Sequence, residues 1–152
     1  MTKYTIKPIT LVGDETATKG DLREWSLCEY YGIWRRSHDS APYHKDSDIN
    51  AGDKHISVKT AGFSLMAGTL CEGKTDFDGI WSVYEKNVHS NCFAYVTKDF
   101  TVYEMNLAEF KAFVYLFCRV TRESTKKGGR SKIIARSESK GLLNWLATQA
   151  VA

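Results

Sequence analysis

Apolar residues recur along this chain with two different periods, and the change of period predicts where helices and strands lie. In "TKGDLREWSLCEYYGIWRR", Leu22, Trp25 and Cys28 follow helical spacing behind an aspartate, which predicts a first helix. The segment "LAEFKAFVYLFCRVTRES" predicts a strongly apolar helix with Asn106 as its N-cap. The segment "SKGLLNWLATQ" predicts a closing helix.

Strand patterns lie between these helices. The segment "DINAGDKHISVKTAGFSLM" predicts a hairpin, with a first strand near 48–51, a turn at Gly52-Asp53 and a second strand over 54–60. After an irregular crossing and a short helix ending near Val88, "NCFAYVTKDFTVYEMN" predicts a second hairpin. Residues 2–12 predict a short edge strand, "TKKGGR" a flexible basic loop and "SKIIARS" a last strand. We expect one domain over 1–152 with an α+β fold, in which helices flank one mixed sheet.

Basic residues are concentrated near the C-terminal end of the chain. The net charge is +3 over 152 residues, but 119–140 alone holds eight basic and two acidic residues. A basic segment on a near-neutral body favours an anionic polymer as partner. A solvated lysine-rich face is the alternative interpretation.

The spacing of the cysteines argues against a zinc-binding or redox motif, and the hydropathy pattern argues against a secreted or membrane protein. Cys28, Cys71, Cys92 and Cys118 are scattered, and no pair has the spacing of a zinc knuckle or redox motif. We therefore expect them to fill the core. No apolar run suggests a signal peptide or a membrane span, so we expect a reduced, cytoplasmic setting and no membrane partner.

The second strand of the first hairpin carries the candidate chemistry. Because residues two apart on a strand share a face, Ser57 and Lys59 point together, while Ile56 and Val58 enter the core. Asp48 lies across the hairpin from the Ser57–Lys59 face, which we expect to border a cleft. A lysine on an edge strand that only reaches to solvent is the alternative.

A carboxylate and a lysine that meet beside a phosphate suit phosphodiester hydrolysis. Mg²⁺ takes oxygen ligands and polarises a phosphoryl oxygen, and a lysine stabilises developing negative charge. A second carboxylate is expected nearby, and Glu72, thirteen residues beyond Lys59, is the best candidate.

The pattern "D-x-N-A-G…I-S-V-K" resembles the PD-(D/E)xK nuclease superfamily, whose core has a hairpin bearing Asp and then an acid-x-lysine. Ser57 stands where the acid is usual, and this is similar to a subgroup of small type II restriction endonucleases. Their displaced glutamate follows the lysine by thirteen or fourteen residues, as Glu72 follows Lys59. The resemblance implies a restriction-endonuclease-like core, with Asp48 and Glu72 as metal ligands, Lys59 as catalytic lysine and Ser57 in the vacated acidic position.

By this resemblance we expect a homodimeric endonuclease that cuts DNA with Mg²⁺, for which Mn²⁺ substitutes. Asp46 is an alternative ligand to Asp48, and Glu24 or Glu29 on the first helix is a possible further ligand, with Glu29 preferred. The residues expected to contact DNA are basic: Arg35, Arg36, Lys126, Lys127, Arg130 and Lys132. The alternative functions are a structure-selective nuclease, such as a Holliday-junction resolvase or mobile-element nuclease, and a catalytically inactive DNA- or protein-binding module with the same fold.

Overall fold

The computed structural model describes residues 1–9, 19–33, 48–65, 76–125 and 128–150, with backbone only at 19, 123–125 and 128–130. The described part contains eight strands and four helices. In chain order these are β1 Thr2–Thr5, α1 Lys19–Tyr30, β2 Ile49–Ala51, β3 Lys54–Lys59, β4 Ser64–Leu65, α2 Phe77–Asn87, β5 Cys92–Val96, β6 Thr101–Met105, α3 Leu107–Phe117, β7 Cys118–Thr125, β8 Gly128–Ala135 and α4 Lys140–Gln149.

The larger sheet has five strands in the order β1-β6-β5-β3-β2. Its strands pair antiparallel except for β3 and β5, which run parallel and place Ser57 beside Phe93 and Lys59 beside Tyr95. Parallel neighbours need a crossover, and α2 lies between β3 and β5 in the chain. The mixed character of the fold, with helices and a mixed sheet, is as predicted.

Both predicted hairpins are confirmed. The turn between β2 and β3 contains Gly52 at φ 64°, a backbone conformation that glycine adopts without steric cost. The helix after the second hairpin begins where expected, because the Asn106 side chain accepts from the Glu109 amide while the Glu109 side chain accepts from the Asn106 amide.

The expectation of one sheet is wrong, since β4, β8 and β7 form a second, antiparallel sheet. The helix α3 ends at Phe117, and the residues from Cys118 onward pair with β8 at eight positions. Val120, Thr121 and Thr125 are β-branched and favour a strand once a partner strand is present. Gly128–Arg130 belong to β8 and not to a loop because they pair with Thr125, Ser124 and Glu123 of β7.

Each face of the larger sheet is covered by its own apolar cluster. On one face Ile56 and Val58 pack with Leu27 of α1, as the alternation predicted. On the other face Phe93 stacks on Phe110 of α3, with ring centroids 4.4 Å apart, inside a cluster that includes side chains of α2 and α4. The strand β3 is therefore enclosed by helices on both faces.

Two of the three described cysteines are buried in the core, as expected. Cys28 and Cys92 are buried and Cys118 is half-buried, whereas Cys71 lies outside the described residues. Over the same described ranges, none of the helices has the length and apolar character needed to cross a bilayer.

Candidate functional site

The first hairpin holds Asp48 against β3 by two hydrogen bonds. The Asp48 amide donates to the carbonyl oxygen of Ile56 at 2.9 Å, which extends the strand pairing by one residue beyond β2. Its carboxylate Oδ2 accepts from the Val58 amide at 2.8 Å. Because both bonds go to the same strand, the carboxylate is fixed alongside the Ser57–Lys59 stretch.

Lys59 ends β3 in a largely apolar setting. Its Nζ lies 5.8 Å from the centroid of the Phe63 ring. Burial lowers the pKa of the Lys59 ammonium, and the nearby carboxylates of Asp48 and Glu24 oppose that shift. The charges of two acidic side chains from different elements, the hairpin and α1, therefore act on one amine.

Ser57 shares the face of Lys59 and is more enclosed than expected. It is 8% exposed and lies beside Phe93, within the aromatic layer that α3 covers. The expected open cleft along the Ser57–Lys59 face is therefore closed at Ser57.

Of the two candidate glutamates on α1, Glu24 is the one that faces the site. Residues five apart on a helix point to different sides, and the carboxylate of Glu24 acts on Lys59. Glu29 is exposed and lines a separate surface pocket with Lys7 and Ser26. The structure thus favours Glu24, contrary to the preference for Glu29.

Several predicted site residues lie outside the described part of the chain: Asp46, Glu72, Arg35, Arg36, Lys126 and Lys127. Arg130 is described by its backbone alone, in β8, and Lys132 is half-buried in the same strand. Within the described ranges no three His, Cys, Asp or Glu side chains form a group able to hold a metal ion. The described carboxylates whose charge acts on Lys59 are those of Asp48 and Glu24.

Tyr84 of α2 is a site residue that the sequence pattern assigned only to the core. It is buried, and burial followed by the charge of Asp48 raises the pKa of its hydroxyl. Helical spacing predicts that Tyr84 faces inward, but no local signal indicates that it approaches the hairpin.

A cavity of about 650 Å³ lies just beyond the end of β3, between Thr60 and residues of α1. Its lining includes Thr60, which follows Lys59 directly, and two basic residues, the buried Arg23 and the exposed Lys98. Nothing in the local sequence distinguishes Arg23 from other surface arginines. The cavity therefore carries positive charge in its lining, but Asp48, Glu24 and Lys59 are not among the residues that line it.

The site is thus the amine of Lys59 near the end of β3, with the carboxylates of Asp48 and Glu24 acting on it and the charge of Asp48 also acting on the Tyr84 hydroxyl. Comparison of the chain with protein-family models, with curated proteins and with solved structures finds no match.

Proposed function

We propose that this protein is a Mg²⁺-dependent DNA endonuclease that hydrolyses phosphodiester bonds. The observation that carries the proposal is that the Asp48 carboxylate is fixed against β3 beside the half-buried Lys59, whose ammonium also feels the charge of Glu24. A hairpin-borne aspartate followed by serine-x-lysine on the next strand is also the arrangement that the resemblance to small type II restriction endonucleases requires. The basic segment over 119–140 supplies positive charge for the polymer.

The oxygen donors at the site suit a hard divalent cation. Mg²⁺ is commonly held by one or two carboxylates together with substrate phosphate oxygens, and Asp48 and Glu24 provide that number. By resemblance Glu72 would add a third carboxylate, and Mn²⁺ would substitute. The ion would supply charge neutralisation and polarise the phosphoryl oxygen.

Lys59 acts on the negative charge that develops during hydrolysis. Water attacks the phosphorus, the bond to the 3′ oxygen breaks, and that oxygen leaves with a proton. An ammonium in a partly dry setting stabilises negative charge on the phosphoryl oxygens more strongly than it would in water. The carboxylates of Asp48 and Glu24 help keep Lys59 charged against the cost of burial.

The deciding experiment incubates supercoiled plasmid with the wild-type protein, with and without Mg²⁺, alongside Lys59→Ala and Lys111→Ala. Lys111 is exposed on α3 and provides a control with the same charge change. We expect Mg²⁺-dependent nicking or cutting by the wild type and a loss of at least about a hundredfold in Lys59→Ala, since removing one charge-stabilising group costs ~10²–10³. Lys111→Ala should cut like the wild type.

Cleavage by Lys59→Ala at near wild-type rate would overturn the assignment of the site. A four-way junction offered beside linear duplex distinguishes a structure-selective nuclease from a duplex-cutting enzyme. A chain of this size would cut both strands as a homodimer with one site facing each strand, which sedimentation in the presence of DNA can test.

An inactive DNA-binding module is the second candidate, and the burial of Ser57 favours it. A hydroxyl replaces the usual acid at that position and is 8% exposed, so it adds no carboxylate to the site. In that case the wild type binds duplex DNA but leaves plasmid intact in both Mg²⁺ and Mn²⁺.

A further inference from the structure

A cavity lies beyond the carboxyl ends of the two parallel strands of the larger sheet. Thr60 and Ala61 directly follow β3, Lys98 follows the end of β5, and all three line the cavity. The start of α1 contributes Gly20 and Arg23. Ligands of α/β sheets commonly bind in the crevice outside the carboxyl ends of the strands, and small-molecule sites have volumes of about 300–1,000 Å³. The cavity, at about 650 Å³, has the position and the size of such a site.

Arg23 is the buried charge of this cavity. It is 8% exposed, and a guanidinium keeps its charge at any ordinary pH. The ion pairs among the described residues join other groups, and no described carboxylate is paired with Arg23. A buried charge without a counter-ion is costly, which favours a partner of opposite charge wherever one can reach it. An anion in the cavity would be that partner.

Lys98 adds a second positive charge to the lining, from the turn between β5 and β6. It is exposed, and neither acid near it forms an ion pair with its ammonium among the described groups. The Asp99 carboxylate accepts from the Thr97 hydroxyl and from the Thr101 amide, and the Glu138 carboxylate accepts from the Lys98 backbone amide at 3.3 Å. Two cations suit a phosphate monoester, which carries nearly two negative charges, better than a single carboxylate.

Phe100 gives the cavity an aromatic surface at some cost to the backbone. Its φ is 62°, a conformation that an aromatic residue rarely adopts and that glycine adopts freely. The turn holds it there, because the Phe100 amide donates to the Thr97 carbonyl oxygen at 3.1 Å and its carbonyl oxygen accepts from the Ile6 amide at 3.0 Å. Phe100 and Leu22 both line the cavity and supply its apolar part. A flat ring can stack on such an aromatic side chain.

We propose that this cavity binds a small phosphate ester that carries a flat ring, the chemistry of a nucleoside monophosphate. Arg23 and Lys98 hold the phosphate, while Phe100 contacts the ring. None of the groups of the candidate nuclease site lines the cavity, so the inference goes beyond the proposed endonuclease function and does not depend on it.

The test is calorimetric titration with AMP, with adenosine and with inorganic phosphate, in EDTA so that no metal site contributes. We expect the wild type to bind AMP at least about tenfold more tightly than either fragment, because the phosphate and the ring each add to the affinity. Arg23→Gln and Lys98→Gln should each weaken AMP binding at least about tenfold. Lys86→Gln removes the same charge from an exposed position on α2 and should match the wild type.

Phe100→Gly tests the ring contact and also relieves the backbone conformation. We expect it to keep the affinity for inorganic phosphate and to bring AMP within about threefold of that affinity, since the stacking surface is lost. Urea unfolding of each variant shows that it is folded. If Arg23→Gln does not fold, Lys98→Gln still decides the phosphate contact, because Lys98 is exposed.

Three results would overturn the proposal. The first is no AMP binding by the wild type up to ~1 mM. The second is equal wild-type affinity for AMP and inorganic phosphate, and the third is a Lys98→Gln variant that binds AMP like Lys86→Gln. A wild type that cuts plasmid with Mg²⁺ but binds no AMP would remove this inference and leave the endonuclease standing.

Discussion

The carboxylate of Asp48 and the backbone amide of Val58 are joined by a 2.8 Å hydrogen bond across the first hairpin. Val58 is buried, so its amide needs a protein partner beyond the point where β2 ends. Asp48 thus has two tasks, since it completes the edge of the sheet and places a negative charge beside Lys59. These tasks can be separated by substitution.

Asp48→Asn and Asp48→Ala should separate stability from metal binding. Alanine leaves the Val58 amide unpaired, and we expect it to lower the free energy of unfolding by ~1–3 kcal/mol. Asparagine keeps an acceptor oxygen and should cost less, yet it removes the charge that would hold Mg²⁺. Urea unfolding and calorimetric titration with Mg²⁺ and Mn²⁺ measure the two effects. Undiminished metal affinity in Asp48→Asn would count against the site.

The two glutamates of α1 form a matched pair for the next prediction. Glu24 acts on Lys59, whereas Glu29 is exposed in another surface pocket. We expect Glu24→Gln to reduce Mg²⁺-dependent plasmid cleavage at least tenfold and Glu29→Gln to leave the rate within twofold. The reverse ranking would mean that the other face of α1 meets the metal.

The lowered pKa of Lys59 gives a signed pH dependence of stability. Between its folded and unfolded pKa values the unfolded chain binds more protons, so the contribution of Lys59 to stability rises with pH and levels off above the unfolded pKa. Lys59→Met removes this rise and relieves the burial penalty. The stability gained by Lys59→Met over the wild type should therefore be largest at neutral pH and shrink toward pH 10.

The stability of Lys59→Met is compared with that of the wild type at each pH because other groups also titrate between neutral pH and pH 10. Burial raises the pKa of the Cys92 and Cys118 thiols to about 12, which opposes the effect of Lys59 at alkaline pH. Urea midpoints for both proteins at several pH values provide the measurement. A difference that stays constant from neutral to alkaline pH would contradict the burial of a charged Lys59.

The same thiols should resist modification in the folded protein. Cys28 is fully buried, and a pKa of about 12 leaves Cys92 and Cys118 almost entirely protonated at pH 8. In a Cys71→Ser variant, which removes the cysteine outside the described residues, we expect less than one thiol to react with a disulfide reagent at pH 8. All three remaining thiols should react in guanidinium chloride. Reaction of two or more thiols in the native variant would show that the burial is wrong.

Local signals in the sequence determined where the four helices begin and where both hairpins lie. Periodicity located α1, turn residues located the first hairpin and β-branched and aromatic runs the second, and Asn106 marked the start of α3 because its cap is made within four residues. Alternation along β3 also decided that Ile56 and Val58 face the core and that Ser57 and Lys59 share the other face. Each of these depends on neighbours in the chain.

Only the tertiary structure decided the features that depend on distant partners. The apolar run of α3 continues past Phe117 in the sequence, but pairing with β8 turns the next residues into a strand and creates a second sheet. The choice of Glu24 over Glu29 follows from the rotation of α1 against the sheet, and the charge of Asp48 acts on Tyr84 only through the placement of α2 in the fold. Strand pairing and helix rotation are settled by contacts between residues far apart in the chain, which periodicity within one segment does not encode.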